Sequence, residues 1–77
     1  MKVYSTIADK DVMLQKNFIY HAPKNDQQER YEKLRSGFKE LARLIIDSTP
    51  SSREQSTALT NLETSMFWSN AAIARNE

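Results

Sequence analysis

Apolar residues recur at helical spacing along two long stretches of the chain. The first stretch places them three and four residues apart at Tyr31, Leu34, Phe38, Leu41 and Ile45. The second continues this spacing through Leu59, Leu62, Met66 and Ile73, with Ser69 at one expected apolar position. Such spacing aligns a narrow apolar stripe along one face of a helix. The pattern therefore predicts two long amphipathic helices, which we assign to segments 24–48 and 51–76.

Polar residues and a proline mark the ends of the two predicted helices. Asp26 followed by Glu29 fits a capping box, in which Asp26 accepts from backbone N–H groups and Glu29 reaches back. Pro50 cannot continue the first helix. Residues 51–54 fit a second capping box, with Thr49 before the proline as the alternative cap. Because this connection is short, the helices are expected to form an antiparallel hairpin.

The segment that precedes the hairpin, residues 1–23, is predicted to contain a short helix. Residues 6–9 fit a capping box. Ile7, Val12 and Leu14 then give the helix, over about residues 8–16, a thin apolar face. A short helix with so narrow a face must dock on something else to be stable.

Residues 17–24 connect this helix to the hairpin and are termed the strap. The strap carries Phe18, Tyr20 and His21 and reaches one residue beyond Pro23. A proline disfavours helical backbone at the residue before it, so the strap is predicted to be extended. One extended segment does not form a sheet alone. We therefore expect the strap to lie across the helices and the chain to be all-α.

Three features of the sequence bear on self-association. Phe67 and Trp68 are adjacent and project about 100° apart around a helix, so we expect one to face the hairpin core and the other a second subunit. A chain of 77 residues without cysteine has a limited core and no disulfide to support it. Gly37 in mid-helix costs about 1 kcal/mol relative to Ala, which indicates either close approach of another backbone or ligand, or a tolerated exposed glycine. We predict a homo-oligomeric helical bundle.

Composition narrows the classes of function. Eleven basic and ten acidic residues give a net charge of +1, whereas proteins that bind DNA or RNA polymers carry a basic excess. With one histidine and no cysteine, neither a Cys/His zinc site nor a cofactor is expected. The apolar stretches are too short for a membrane span, and the first residues lack the apolar core of a signal peptide. We expect a cytosolic protein with one domain, residues 1–77.

No catalytic constellation is visible in the sequence, but ligand-binding chemistry is. The chain lacks a Cys nucleophile and a G-x-S-x-G elbow, and its single glycine cannot build a phosphate-binding loop. Tyr20 and His21 have flat faces that can stack on a base. Cations that suit phosphate oxygens follow at Lys24, Lys33 and Arg35. The alternative is that the aromatic residues of the strap only anchor the core.

An ordered set of short motifs resembles a known family. The motifs are F-x-Y-H-x-P-K-x-x-Q at 18–27, Y-x-x-x-R at 31–35, P-x-S-R-E-x-S-x-A-L at 50–59, L-E at 62–63 and M-x-W-x-x-A-x-I-A-R at 66–75. Together they are similar to the helical hairpin of phage anti-CBASS proteins. The same hairpin occurs in the C-terminal part of phage sponges that block Thoeris defence. The resemblance covers about residues 18–76.

The resemblance implies a function and an assembly. Members of the family bind cyclic dinucleotides such as cGAMP, and some also bind cyclic trinucleotides at separate pockets. They do not cleave the ligand, so the host effector is never activated. They assemble as homo-hexamers with pockets between protomers and act in the cytoplasm of the infected bacterial host.

The resemblance also implies roles for particular residues. Tyr20 is implied to stack on a base, and Arg35 or Lys33 to contact a phosphate. For Arg75, the alternative is a cation at a helix C-terminus that interacts only with the helix dipole. The full set of expected cyclic-nucleotide-binding residues is Tyr20, His21, Lys24, Lys33, Arg35, Arg53, Thr57 and Arg75.

Two other classes of function compete with this interpretation. A small helical adaptor that inhibits a host protein by direct contact would use the same apolar stripes, with Phe67 and Trp68 at its interface. An enzyme acting on cyclic nucleotides would usually need a metal site or an obvious general base. The sequence shows neither, so the enzyme is the weakest of the three hypotheses.

Overall fold

Three α-helices make up most of the chain in the computed structural model, which describes residues 7–77. Helix α1 spans Ile7–Phe18, α2 spans Gln27–Ser48 and α3 spans Arg53–Asn76. No strand occurs within the described residues. The predicted all-α architecture, with a short helix before a long hairpin, is therefore confirmed. The cap predicted at residues 6–9 falls largely outside the described part of the chain.

Helices α2 and α3 pack against each other, and α1 contacts α3. The hairpin is antiparallel, because Glu77, next to the end of α3, hydrogen-bonds Arg30 in the first turn of α2. The apolar side chains along the contact are half-buried, and they are Tyr31, Leu34, Phe38, Ile45, Leu59, Leu62, Met66 and Ile73. The predicted stripes are thus the contact faces, except that Leu41 remains 44% exposed.

The turn between α2 and α3 is held by side chains on both sides of Pro50. The cap of α3 is Ser52, whose hydroxyl accepts from the Gln55 backbone N–H at 3.1 Å. The capping box predicted over residues 51–54 is therefore wrong by one residue. The Gln55 amide also donates to the Thr49 carbonyl and hydroxyl oxygens, both at 3.0 Å. Thr49 ends α2 in extended backbone, as expected for the residue before a proline.

The start of α2 differs from its predicted capping box. Asp26 precedes the helix but makes no capping hydrogen bond, because its backbone, at φ −90° and ψ 11°, departs from the β-region typical of a cap. Its carboxylate pairs instead with Arg30 at 3.2 Å. The Gln27 side chain turns back and accepts from the Lys24 backbone N–H at 3.1 Å. Asn25 at φ 55° reverses the chain here, in a conformation that Asn tolerates better than most residues.

The strap is only partly extended. Helix α1 continues to Phe18, so the first two strap residues are helical, and residues 20–24 form neither helix nor strand. Its aromatic side chains are not core anchors within the protomer, since Phe18 is 77% and Tyr20 is 83% exposed. These rings are available to another molecule.

A single protomer has no closed hydrophobic core. No apolar residue between positions 9 and 77 is fully buried. The radius of gyration is 17.4 Å and the thinnest dimension is 13 Å, whereas a closed domain of this length has a radius of about 11 Å. Phe67 and Trp68 are both exposed, so the expectation that one of them faces the hairpin core is wrong. Around Gly37, an added Cβ would meet no atom within 4 Å, so the hairpin itself supplies no close neighbour.

Candidate functional site

The strap, the start of α2 and the end of α3 together line a cleft of about 410 Å³, which we term the strap cleft. A volume of this size lies within the range of small-molecule pockets. The cleft brings together four of the ligand-binding residues predicted from the sequence, although Arg75 is more than 50 positions from the other three. Its lining residues are Tyr20, His21, Ala22, Lys24, Gln27, Ala74, Arg75 and Glu77.

Tyr20, the predicted stacking residue of the strap, lies close to a capped helix end. The His21 Nε2 atom lies 2.7 Å from the Lys16 carbonyl oxygen, one of the acceptors that a helix leaves unpaired in its last turn. Because a carbonyl only accepts, Nε2 must carry the proton and donate. His21 thus caps α1 and fixes the neighbouring backbone of the strap. Tyr20 projects with most of its ring accessible for stacking.

A group of four polar residues, which we term the Glu77 clasp, closes one wall of the cleft. Arg30 donates from both terminal nitrogens to the Glu77 carboxylate, with the Nη1–Oε2 distance at 2.9 Å. The Gln27 amide donates to the same carboxylate at 3.3 Å. The Lys24 ammonium donates to the Glu77 main-chain oxygen at 2.6 Å. The clasp therefore ties the strap and α2 to the end of α3.

The electrostatics of the clasp follow from this geometry. The hydrogen bonds from Arg30, and after them the bond from Gln27, lower the pKa of the Glu77 carboxyl to about 2. The hydrogen bond to Glu77 in turn raises the pKa of Arg30 above its ordinary value. Gln27 is the one fully buried residue between positions 9 and 77, at 3% exposure. The carboxylate of Glu77 is therefore held in its charged form by fixed donors.

The fourth predicted residue in the cleft, Arg75, is positioned by an aromatic neighbour. Its guanidinium carbon lies 5.6 Å from the ring centroid of Trp68, two helical turns earlier on α3. That distance is within the range of a cation–π interaction. Arg75 is half-buried, whereas Trp68 is 63% exposed. The contact joins the strap cleft to the exposed aromatic surface of α3.

The other predicted ligand residues lie away from the strap cleft of the same protomer. Lys33 pairs with Glu29 at 3.6 Å on the exposed face of α2. Arg35 is exposed further along that helix. Arg53 and Thr57 are exposed in the first turns of α3, and the rise of a helix places Arg53 about 33 Å from Arg75. One protomer therefore does not unite all eight residues.

A second concave surface runs along the hairpin on the apolar stripe of α2. It is an open groove of about 510 Å³ lined by Arg30, Lys33, Leu34, Gly37, Phe38, Leu41 and Ile73. Lys33 stands at its edge, close to the α2 end of the Glu77 clasp. Through this groove the half-buried side chains of Leu34, Phe38 and Ile73 are accessible to solvent.

Three members of the clasp were missed as site residues by sequence reasoning, namely Gln27, Arg30 and Glu77. Gln27 falls within the first family motif, and that was the only available signal. Arg30 and Glu77 are 47 positions apart, and only the closure of the hairpin brings them together. A charged residue beside a helix end has no pattern that distinguishes it from ordinary surface charge.

Other kinds of site are not found in the part of the chain that the structure covers. No group of three or more His, Cys, Asp and Glu side chains is arranged to hold a metal ion there. None of the helices α1 to α3 is long and apolar enough to cross a membrane.

The fold and the cleft define a class of protein: a small helical hairpin with an aromatic and cationic cleft where the two ends of the hairpin meet. The family model described as Acb2/Tad1, hairpin domain, matches residues 10–74. The chain therefore belongs to the Acb2/Tad1 hairpin family, which confirms the anti-CBASS resemblance and indicates a phage anti-defence sponge family. No curated protein and no solved structure matches the chain.

Proposed function

We propose that this protein is a phage anti-defence sponge that binds cyclic dinucleotides such as cGAMP, and also cyclic trinucleotides, without cleaving them. By holding the messenger in the cytoplasm of the infected bacterial host, it keeps CBASS effectors inactive. The observation that carries the proposal is the convergence of Tyr20, Lys24 and Arg75 on the strap cleft, in a chain that belongs to the Acb2/Tad1 hairpin family.

The chemistry of the strap cleft suits a nucleotide with a phosphodiester. The ring of Tyr20 is 83% exposed, and an accessible aromatic face can stack on any base. Lys24 and Arg75 supply positive charge beside it, and charged donors make the strongest hydrogen bonds to phosphate oxygens. One base and one phosphate of a cyclic dinucleotide would thus be held by a single protomer.

The proposed assembly is a homo-oligomer, a hexamer as in the family resemblance. Its support is the large apolar surface that one protomer leaves uncovered, since Val12, Phe18, Leu44, Phe67 and Trp68 are all more than half exposed. Soluble chains seldom leave such surface uncovered unless another molecule binds it. Phe67 and Trp68 are proposed to lie in the subunit interface.

Assembly also supplies the binding residues that one protomer keeps apart. Lys33 and Arg35 are proposed to reach the ligand held in the strap cleft of an adjoining protomer. Arg53 and Thr57, at the opposite end of the hairpin, are proposed to form a separate pocket with Arg75 of another copy, where a trinucleotide would bind. Every one of these side chains is at least partly accessible in the protomer.

The test is to incubate the protein with a panel of cyclic di- and trinucleotides, remove unbound ligand, denature the protein and identify what is released. Intact ligand in the released fraction is the expected result. Degraded ligand would show an enzyme. No bound ligand from any member of the panel would overturn the sponge and leave the helical adaptor, whose contact surface would be the same exposed aromatic residues.

A matched control separates specific binding from general attraction between a cation and a nucleotide. Tyr20→Ala removes the stacking ring without changing charge, and Lys39→Ala removes an exposed cation that does not line the strap cleft. Retention should fall for Tyr20→Ala and stay unchanged for Lys39→Ala.

A further inference from the structure

The Glu77 clasp has the construction of an anion-binding site that is already occupied. Two nitrogens of Arg30 and the Nε2 atom of Gln27 converge on one carboxylate. A planar guanidinium that donates two parallel bonds matches phosphate oxygens as well as it matches a carboxylate. Two oxygens of a phosphate group could therefore take the place of the Glu77 carboxylate.

The side-chain amide of Gln27 is fixed before any ligand arrives. Gln27 is only 3% exposed to solvent. Its Oε1 atom already accepts from the Lys24 backbone N–H at 3.1 Å. With the oxygen so engaged, the amide nitrogen can only point toward the anion. Donors that need no rearrangement cost little entropy on binding.

The site is nevertheless open to exchange. The side chains of Arg30 and Glu77 are 37% and 41% exposed, so solvent and small anions reach them. The clasp is continuous with the strap cleft, since Lys24, Gln27 and Glu77 line both. Arg30 also lines the neighbouring apolar groove. An incoming phosphate would therefore meet these donors beside the proposed stacking residue Tyr20.

We propose that Lys24, Gln27 and Arg30 form an anion subsite for a phosphate group, and that the carboxylate of Glu77 occupies it in the free protein and competes with the ligand. That the phosphate belongs to a cyclic nucleotide rests on the proposed function. The competition between Glu77 and an anion is independent of the proposed function, because it concerns any phosphate anion of suitable size. Glu77 then acts as a resident anion that lowers the affinity of the subsite for weak or incidental anions.

The experiment follows the side-chain amide of Gln27 by NMR in the full chain at pH 7, during titration with inorganic phosphate and, separately, with dimethyl phosphate. Sodium chloride is adjusted to hold the ionic strength constant. The variants are Glu77→Ala and Glu77→Gln, which remove the competing charge with and without loss of size. Glu63→Ala removes an exposed carboxylate elsewhere on α3 and is the matched control.

We expect both Glu77 variants to bind phosphate at least tenfold more tightly than the parent and the Glu63 control. Adding Arg30→Ala to Glu77→Gln should abolish the saturable response. Equal affinities for parent and Glu77 variants, or a response that survives Arg30→Ala, would overturn the subsite and leave the clasp a purely structural contact.

The two anions separate this inference from the proposed function. Saturable binding of dimethyl phosphate, which has the diester group of a cyclic nucleotide, supports a nucleotide as the natural occupant, whereas binding of inorganic phosphate without any binding of the diester would overturn that assignment. If the protein retains no cyclic nucleotide but shows the Glu77-dependent phosphate response, the sponge function is refuted and the anion subsite is supported. If it retains cyclic nucleotides but shows no such response, the sponge function is supported and the anion subsite is refuted.

Discussion

The guanidinium of Arg75 lies over the indole ring of Trp68, with its central carbon 5.6 Å from the ring centroid. Arg75 lines the strap cleft, and Trp68 is exposed on α3. The predicted ligand residue and the predicted interface residue are therefore in direct contact. If a second protomer covers Trp68, it also restricts Arg75, so assembly and ligand binding are expected to affect each other.

Trp68→Ala should weaken assembly without unfolding the protomer. The ring is 63% exposed in the protomer, so its removal leaves little cavity in the hairpin. A tryptophan buried at an interface is a typical hot spot, worth about 2 kcal/mol or more. Light scattering over a dilution series should show dissociation at higher protein concentration than for the parent, while circular dichroism retains the helical signal. Asn61→Ala, an exposed change on the same helix, is the control, and identical dissociation for both variants would contradict the interface assignment.

Tyr20→Ala should weaken cyclic dinucleotide binding at least tenfold, about 1.4 kcal/mol. The reason is the loss of a stacking surface, which contributes about 1–3 kcal/mol per base. Tyr20→Phe keeps the ring and should bind nearly as well as the parent. Calorimetry measures both, with size-exclusion chromatography to show that the oligomer is intact. An equal loss in both variants would assign the effect to the hydroxyl group instead of stacking.

Arg35→Ala should also weaken binding at least tenfold, or about 1.4 kcal/mol, although Arg35 lies outside the strap cleft of its own protomer. An adjoining protomer would have to present it to the ligand. Because the contact is ionic, the difference from the parent should shrink with added salt, whereas the effect of Tyr20→Ala should not. Lys39→Ala controls for the loss of any cation on α2. Unchanged affinity in Arg35→Ala would direct attention to Lys33 and Arg75.

The thermal stability of the protein should fall as the pH is lowered through the range in which Glu77 takes up a proton. Its folded pKa of about 2 lies below the ordinary value of 4.5, so the unfolded chain binds this proton more readily. Glu77 therefore contributes fully to the stability of the folded protein above about pH 4.5, and this contribution is lost as the pH falls toward 2. Thermal melts at a series of pH values should show this loss. Glu77→Gln should flatten that part of the profile, and an unchanged slope would show that Glu77 is not held by Arg30 in solution.

Ser52→Ala should lower the free energy of unfolding by about 1 kcal/mol, the usual cost of removing a helix cap. Its hydroxyl accepts from the Gln55 N–H at 3.1 Å and donates to the Pro50 carbonyl at 3.0 Å. Ser51→Ala is a closely matched control, because it removes the same hydroxyl one residue earlier. Chemical denaturation measures both, and a larger loss for Ser51→Ala would restore the cap to residues 51–54.

The positions of the long helices were predictable because their signals are local. The spacing of apolar residues and the proline at 50 depend only on neighbours within a few positions, so α2 and α3 begin and end within three residues of the predicted segments 24–48 and 51–76. The caps were less predictable. Asp26 is a good cap by residue type, but the backbone conformation at that position and the nearby Arg30 give its carboxylate a different partner.

The strap residues were identifiable as ligand candidates from their chemistry and from the family motifs, since flat rings and nearby cations are visible in the sequence. Sequence alone did not show that Arg75 would join Tyr20, His21 and Lys24. Residues more than 50 positions apart meet only when the antiparallel hairpin closes, and the length of each helix decides which residues coincide at its open end.

The sequence by itself thus determined the helices, the hairpin and the chemical types available for a ligand. The tertiary structure alone decided that Glu77 and Arg30 form a clasp, that Arg75 rests on Trp68, and that neither Phe67 nor Trp68 enters the hairpin core. The physical reason is that helix formation is governed by contacts close in sequence, whereas these pairings depend on the register between two packed helices. That register is set by the summed fit of many half-buried side chains, and no single motif encodes it.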